Sequence, residues 1–239
     1  MLRRHDGDER VLLLSMPFDI ARRASAEALG TAFLVAIVVG SGIAAQRLSP
    51  GNTGLELLEN STATGAGLFA LILALGPVSG AHFNPVVTIA DRLLGSTSTA
   101  MGWIYSGAQI AGACIGAMVA NLMFQLPAID VSTHTRSTGG LLLGEFVATF
   151  GLVFVIRAVG RSGNVALCAA AVGAYIAAAY WFTSSTSFAN PAVTIGRTLT
   201  NTFAGIAPSS VAPFIAAQLA GGLAAIGLSR VWFVERVSV

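Results

Sequence analysis

The stretch NPVVTI, at Asn84–Ile89, returns as NPAVTI at Asn190–Ile195. Asparagine is a favoured cap for the start of a helix, and proline suits the first helical position, where its missing N–H group is not needed. A helix of about ten residues is about 15 Å long, which is half the hydrocarbon thickness of a bilayer. The two stretches therefore predict two half-helices, which end near Gly95 and Asn201.

The composition predicts a membrane protein. Of the 239 residues, 54% are hydrophobic and 10% are charged, whereas soluble domains carry about 25% charged residues. The net charge of +2 is too small to indicate nucleic-acid binding. The two cysteines, Cys114 and Cys168, each stand alone in an apolar stretch, so neither a disulfide framework nor a metal site is predicted. We also expect no cofactor and, without a nucleophile–base set, no enzymatic activity.

Six apolar segments are long enough to cross a bilayer as helices, which takes roughly 20 residues each. They lie at 24–46, 61–79, 99–126, 140–160, 165–185 and 210–233. Positive residues concentrate on the cytoplasmic side of membrane proteins. If the N-terminus is cytoplasmic, only three of the 13 arginines, Arg47, Arg136 and Arg197, fall outside. Both termini are therefore predicted to be cytoplasmic, and residues 11–23 form either a short surface helix or a plain tail.

The two halves of the chain repeat one another. EALGTAFLV at 27–35 resembles EFVATFGLV at 145–153, and AQIAGA at 108–113 resembles AQLAGG at 217–222. Each half holds three spans, which is an odd number, so the second half enters the membrane from the opposite side. Inverted repeats with broken helices at the midplane are typical of membrane transport proteins. Two positive helix ends at one point also disfavour cations and protons there.

Together with SGAHFNPVVT at 79–88 and SFANPAVT at 187–194, these strings resemble the aquaporin and aquaglyceroporin (major intrinsic protein) family from about Ala24 onward. The resemblance implies an all-α, right-handed bundle of six transmembrane helices plus two half-helices. It also implies a homotetramer in the inner (plasma) membrane, with passive flux of small neutral solutes. We expect an N-terminal tail at 1–23, a channel domain at 24–233 with repeats at 24–126 and 139–233, and a C-terminal tail at 234–239.

The resemblance implies two sets of pore residues. The midplane set is Asn84, Pro85, Val86, Asn190, Pro191 and Ala192, and the selectivity filter, counted from the asparagines, is Thr64, Ala178, Ser187 and Val193. Val86 replaces the family's usual alanine and is expected to add bulk beside the midplane contact. Val193 replaces the family's usual arginine. The filter is therefore expected to be a wide ring of small, uncharged side chains, and whether Arg197 or Trp181 narrows it stays open.

A filter that lacks the arginine and has small side chains at its other positions resembles that of a bacterial aquaporin subgroup associated with arsenic resistance. The resemblance thus implies metalloid acids, arsenite As(OH)₃ above all, as the solute. A general glycerol and water channel is the alternative within the class. A proton-coupled secondary transporter that uses Glu27 or Glu145 is the alternative from another class, because carboxylates inside a membrane are costly and often functional.

Five further residues are expected to support the half-helices. The resemblance favours Glu27 and Glu145 as acceptors for loop amides, with Gln109 and Gln218 bound to similar backbone groups. His82 is expected to line the channel or to brace its loop, and a pH gate is the alternative.

Overall fold

The computed structural model describes residues 6–233, with side chains described from residue 19, so the predicted tail at 234–239 lies outside the described range. Within that range the chain forms eight α-helices, two short 3₁₀ turns and no strand. The helices are α1 (Asp6–Leu48), α2 (Thr53–Ser79), α3 (Pro85–Leu93), α4 (Thr99–Met123), α5 (Gly139–Gly160), α6 (Val165–Phe182), α7 (Pro191–Gly196) and α8 (Val211–Trp232).

The six predicted spans are confirmed as the long helices α1, α2, α4, α5, α6 and α8, each apolar enough to cross a membrane. Residues 11–23 form no separate helix, because they fall inside α1. The second span begins earlier than predicted, at Thr53. Its start is set by Asn52, whose side chain accepts a hydrogen bond from the Leu55 amide at 3.1 Å.

Small residues set the distance between the long helices. Gly112 and Gly116 of α4 lie against the backbone of Ala28 and Ala32 of α1, so that neither position has room for a Cβ atom. In the second half, Gly221 of α8 lies in the same way against the Phe146 carbonyl of α5. Close backbone approach replaces the hydrophobic effect as the source of helix association in lipid. The two halves thus share one packing scheme.

The two half-helices meet at their N-termini, as the sequence predicts. The Asn84 Oδ1 atom caps α3 by accepting from the Val86 amide at 2.9 Å, and the Asn190 Oδ1 atom caps α7 by accepting from the Ala192 amide at 2.9 Å. Each asparagine also reaches into the other half: Asn84 Nδ2 donates to the Ala189 carbonyl at 2.7 Å, and Asn190 Nδ2 donates to the Phe83 carbonyl at 2.8 Å. The repeats are therefore joined by a reciprocal pair of hydrogen bonds.

The second half-helix is shorter than predicted. Helix α7 ends at Gly196, and the chain tightens into a 3₁₀ turn at Arg197–Leu199. The backbone amides of Asp130 and Ser132, in a preceding loop, donate to the carbonyls of Leu199 and Thr198 at 3.0 and 2.9 Å and so hold this turn.

Candidate functional site

A cavity of about 380 Å³ runs between the half-helices and is lined by both Asn84 and Asn190. Because the repeats are inverted, α3 and α7 lead from these asparagines toward opposite ends. We call the end lined by His82 and Asp91 the first mouth. The end lined by Ser187 and Arg197 is the second mouth.

Apolar stripes make up most of the cavity wall. On α1, α2 and α6 the lining residues recur at every fourth position, as expected for one face of a helix, and α5 adds a wider face. The lining residues are Leu34 and Val38 of α1; Thr64, Leu68 and Ile72 of α2; Leu152, Val153, Ile156, Arg157 and Gly160 of α5; and Cys168, Val172, Ile176 and Tyr180 of α6. Walls of this kind give a passing solute few hydrogen bonds, so the polar groups at the midplane and at the mouths carry the recognition.

Of the six residues predicted at the midplane, the two asparagines line the cavity and the other four do not. The expectation that Val86 adds bulk beside the midplane contact is wrong. Its side chain is 2% exposed and packs with Val153, Ala225 and Ile226, and its Cγ1 atom occupies the space beside Gly222 where a Cβ would stand. The extra volume is therefore absorbed between α3 and α8.

The loop before each half-helix carries strained backbone at matching positions. Ala81 and Phe83 have φ values of 51° and 49°, and their counterparts Ser187 and Ala189 have φ values of 51° and 48°. Non-glycine residues rarely occupy this left-handed region, at a cost of order 1–3 kcal/mol each. Such a conformation persists only where the surrounding contacts hold it.

The buried carboxylates supply those contacts. The Glu27 side chain accepts hydrogen bonds from the amides of His82 at 3.0 Å and Phe83 at 2.7 Å, and from the Ser79 hydroxyl at 2.6 Å. The side chain of its counterpart, Glu145, is likewise fully buried. Neither carboxylate lines the cavity, which fits the bracing role and speaks against their carrying protons along the pathway.

Glu145 holds the second loop in the same way. It accepts from the amides of Phe188 and Ala189, both at 2.9 Å. These two residues directly follow Ser187, which lines the second mouth. The carboxylate thus stabilises the strained backbone conformation and holds a channel-lining side chain in position.

The two glutamines differ from the expectation. Gln109 Nε2 donates to Glu27 Oε2 at 2.8 Å and to the Thr88 hydroxyl at 3.0 Å, and not to backbone groups. Gln218 Nε2 likewise donates to Glu145 Oε2 at 2.5 Å and to the Thr194 hydroxyl at 2.9 Å. Because Thr88 and Thr194 belong to the half-helices, each glutamine connects a carboxylate-braced loop to the helix that follows it.

The first mouth carries groups of both charge signs. His82 and Asp91 line it together with Arg157. The His82 Nδ1 atom lies 3.1 Å from the Thr88 hydroxyl, and its Nε2 atom lies 3.9 Å from an Asp91 carboxylate oxygen. The histidine therefore both lines the channel and contacts the half-helix.

The second mouth contains three of the four predicted filter residues: Thr64, Ser187 and Val193 line the cavity, but Ala178 does not. Ala178 is exposed on the outer face of α6, and Tyr180 takes its place. The spacing used for the prediction is two residues too long for this chain, and two residues rotate a helical side chain by roughly 200°. The Tyr180 hydroxyl lies 3.2 Å from that of Thr64.

The expectation of a small, charge-free ring is therefore wrong. Besides Tyr180, the second mouth contains Arg197, which is 2% exposed and lines the cavity. Trp181 does not narrow this mouth: it is 51% exposed, and its Nε1 atom donates to the Ser61 hydroxyl at 3.1 Å. The hydroxyl of Ser187 is buried and has no hydrogen-bond partner among the described residues.

Two signals in the sequence point to the missed residues. The four-residue stripe that begins at Cys168 reaches Tyr180, although the sequence alone does not distinguish it from the parallel stripe through Ala178. The repeat gives Arg197 more directly, since it stands as far beyond Asn190 as the cavity-lining Asp91 stands beyond Asn84.

Comparison with known proteins agrees with this architecture. The family model described as "Major intrinsic protein" matches residues 15–185. The chain belongs to this family. Major intrinsic proteins similar to it include the aquaglyceroporin AqpS of Rhizobium meliloti (strain 1021), which is 49% identical over 218 residues, or 91% of this chain and 92% of that protein.

More distant relatives extend the comparison. Aquaporin NIP1-4 of Oryza sativa subsp. japonica is 33% identical over 81% of this chain and 71% of its own length. The X-ray structure of the aquaglyceroporin from Plasmodium falciparum matches with a TM-score of 0.73 over 90% of this chain and 97% of that one, at 20% identity, which supports the fold alone. As a major intrinsic protein, the chain is a membrane channel for small solutes.

Proposed function

We propose that the chain is a passive channel for small, neutral, hydroxylated solutes, and that metalloid acids, with arsenite As(OH)₃ first among them, are its main cargo. One observation carries the proposal: the hydroxyls of Thr64 and Tyr180 lie 3.2 Å apart at the second mouth of a channel whose other walls are mostly apolar. Ser187 lines the same mouth, and its hydroxyl is buried without a partner among the described residues. A compact molecule with several hydroxyls can exchange hydrogen bonds with the Thr64 and Tyr180 hydroxyls as it loses water.

Arsenite suits this mouth by its charge and its hydrogen-bonding groups. It is uncharged at neutral pH, so the cationic Arg197 does not repel it, and its three hydroxyls can bind the Thr64 and Tyr180 hydroxyls. The choice of arsenic also rests on the resemblance to arsenic-resistance-associated aquaporins and on Val193, which stands where the family usually carries arginine.

A general glycerol and water channel is the second candidate, because AqpS, the relative that is 49% identical, is called an aquaglyceroporin. Glycerol also carries three hydroxyls and meets the same Thr64 and Tyr180 hydroxyls. A proton-coupled transporter is less well supported, since Glu27 and Glu145 are both occupied by hydrogen bonds from their own loops.

We further propose a homotetramer in the bacterial plasma membrane, with both termini cytoplasmic and the second mouth facing outward. The arginine distribution supports this orientation, because three of 13 arginines would lie outside. The proposed domain limits are a tail at 1–23, the channel at 24–233 with repeats at 24–126 and 139–233, and a second tail at 234–239.

Reconstituted liposomes test the cargo. Entry of arsenite, entry of glycerol and osmotic shrinkage are compared for the wild-type protein, for Val193→Arg and for protein-free liposomes. We expect wild-type liposomes to take up arsenite and glycerol. Val193→Arg should slow both solutes more than water, because a second guanidinium fills space that the larger molecules need. Glycerol flux without arsenite flux would refute the metalloid cargo, and equal losses of water and arsenite in the variant would contradict a steric limit at Val193.

A further inference from the structure

The Arg197 side chain is held in place by its Nε atom and its guanidinium plane, while its terminal nitrogens stay free among the described residues. It follows the last residue of α7 and begins the 3₁₀ turn. Its Nε atom donates to the Ala204 carbonyl, and its guanidinium lies over the Phe188 ring with Cζ 3.4 Å from the ring centroid. One hydrogen bond and one aromatic face therefore fix the orientation of the group.

The free end is the pair of terminal nitrogens. Among the described residues, Nη1 and Nη2 of Arg197 donate to no protein acceptor, and neither atom belongs to the fully sequestered polar atoms. Since Arg197 lines the cavity, these N–H groups remain available to whatever fills the second mouth.

The charge of Arg197 is not neutralised locally. Within residues 19–233, no carboxylate lies within 4.0 Å of its guanidinium. The nearby Glu145 already accepts from two loop amides and from Gln218. An arginine keeps its charge under ordinary conditions, and a fixed charge acts more strongly in a partly desolvated constriction than in water.

Arg136, a second arginine that contacts the Phe188 ring, differs from Arg197 in its hydrogen bonds. The Arg136 guanidinium also lies over Phe188, with Cζ 5.3 Å from the centroid. Its nitrogens, however, donate to the carbonyls of Gly205 at 2.9 Å and Phe203 at 3.2 Å, and it does not line the cavity. Arg136 ties loops together, whereas Arg197 presents its charge to the channel.

The repeat indicates that this position belongs to the channel wall. Asp91 stands at the equivalent place in the first half and lines the first mouth, where Arg157 supplies an opposite charge. At the second mouth the described cavity-lining residues include one charged side chain, Arg197. The two ends of one channel therefore differ in local charge.

We propose that Arg197 is the cation barrier of this channel, set one helical turn beyond Val193. A cation that enters the second mouth is repelled by this uncompensated guanidinium, whereas a neutral solute is not repelled. The inference deepens the proposed function and rests on the chain being a channel for neutral solutes.

Liposome flux measurements test the barrier with three single variants. We expect Arg197→Gln to admit methylammonium and K⁺ about tenfold faster than wild type or more, because a single fixed charge at contact distance is removed. Arg197→Lys should keep cations out, since it keeps the charge. Arg136→Gln is the matched control: it removes the other guanidinium that lies over the Phe188 ring and should leave cation exclusion intact.

Chemical modification of one cysteine variant tests the same barrier without a comparison between proteins that fold differently. Arg197→Cys is made in a background of Cys114→Ser and Cys168→Ser, and methylammonium entry is measured before and after reaction with a cationic or a neutral methanethiosulfonate reagent of similar size. The unreacted variant should leak the cation. The cationic reagent should restore exclusion, whereas the neutral reagent should restore much less of it.

The outcomes separate the two proposals. If wild-type liposomes pass neither glycerol nor arsenite, the proposed function itself fails. If they pass neutral solutes while Arg197→Gln and unreacted Arg197→Cys stay as tight to methylammonium as wild type, the channel stands and the cation-barrier role of Arg197 is refuted. Equal restoration by both reagents would also refute it, because steric plugging would then explain the exclusion.

Discussion

The two mouths of the channel are built alike and charged differently. At the first, the His82 and Tyr105 rings meet edge to face at 5.4 Å, with 75° between their planes; at the second, Phe188 and Phe214 meet at 5.3 Å and 75°. His82 can carry a proton and lies near Asp91, whereas Phe188 cannot and lies against an arginine. The repeat thus fixes the geometry, and single substitutions within it decide the electrostatics.

The same holds deeper in the molecule. Both halves connect a buried glutamate, a glutamine and a half-helix threonine by hydrogen bonds. Between α3 and α8, however, the first half pairs the larger Val86 with Gly222, while the repeat-equivalent positions of the second half hold Ala192 and Ala113. The larger side chain on α3 is thus matched by the smaller residue on α8, whereas the second half has an alanine at both positions.

The largest predicted effect concerns the carboxylates shared by both halves. In Glu27→Leu and in Glu145→Leu, two loop amides lose their acceptor, and each stranded buried amide costs about 1–3 kcal/mol. We expect both variants to lose several degrees of thermal stability or to fail to fold, as measured by thermal unfolding in detergent. Glu59→Leu is the control, because Glu59 accepts from the Ser49 hydroxyl and not from these loops. If one of the two variants melts at the wild-type temperature, contacts other than its glutamate hold the loop of that half.

The next effect tests the contact between Val86 of α3 and Gly222 of α8. Gly222→Ala should destabilise the protein by about 1–3 kcal/mol through overpacking, because its new Cβ would collide with Val86. Adding Val86→Ala should recover most of the loss. Gly227→Ala on the same helix is the control, since a Cβ there meets open space. Additive losses in the double variant would mean that Val86 and Gly222 are not coupled.

The smallest effect concerns the second mouth. Tyr180→Ala should raise the ratio of glycerol to water permeability several-fold, because it removes a ring from the cavity wall. Ala178→Ser should leave the ratio unchanged, since Ala178 faces away from the channel. Stopped-flow light scattering on liposomes measures both fluxes. A response to Ala178→Ser but not to Tyr180→Ala would restore the filter predicted from spacing.

Local patterns predicted the fold almost completely. The six spans follow from hydrophobic length, the half-helices from Asn-Pro capping, and the inversion from an odd number of spans in each repeat. These features depend on neighbours along the chain, so the sequence contains them explicitly. The resemblance to the major intrinsic protein family, and not a local pattern, predicted Thr64, Ser187 and Val193, which line the cavity together with Asn84 and Asn190.

The tertiary structure decided what depends on rotation and on distant neighbours. A loop shorter than assumed turned α6 so that Tyr180, and not Ala178, faces the channel. A glycine on α8 gave Val86 a place outside the midplane. The end of α7 at Gly196, together with the Ala204 carbonyl and the Phe188 ring, brought Arg197 into the second mouth. A helix face shifts by roughly 100° for each residue of length, so contacts across the fold, and not spacing along the chain, determine which side chains a solute meets.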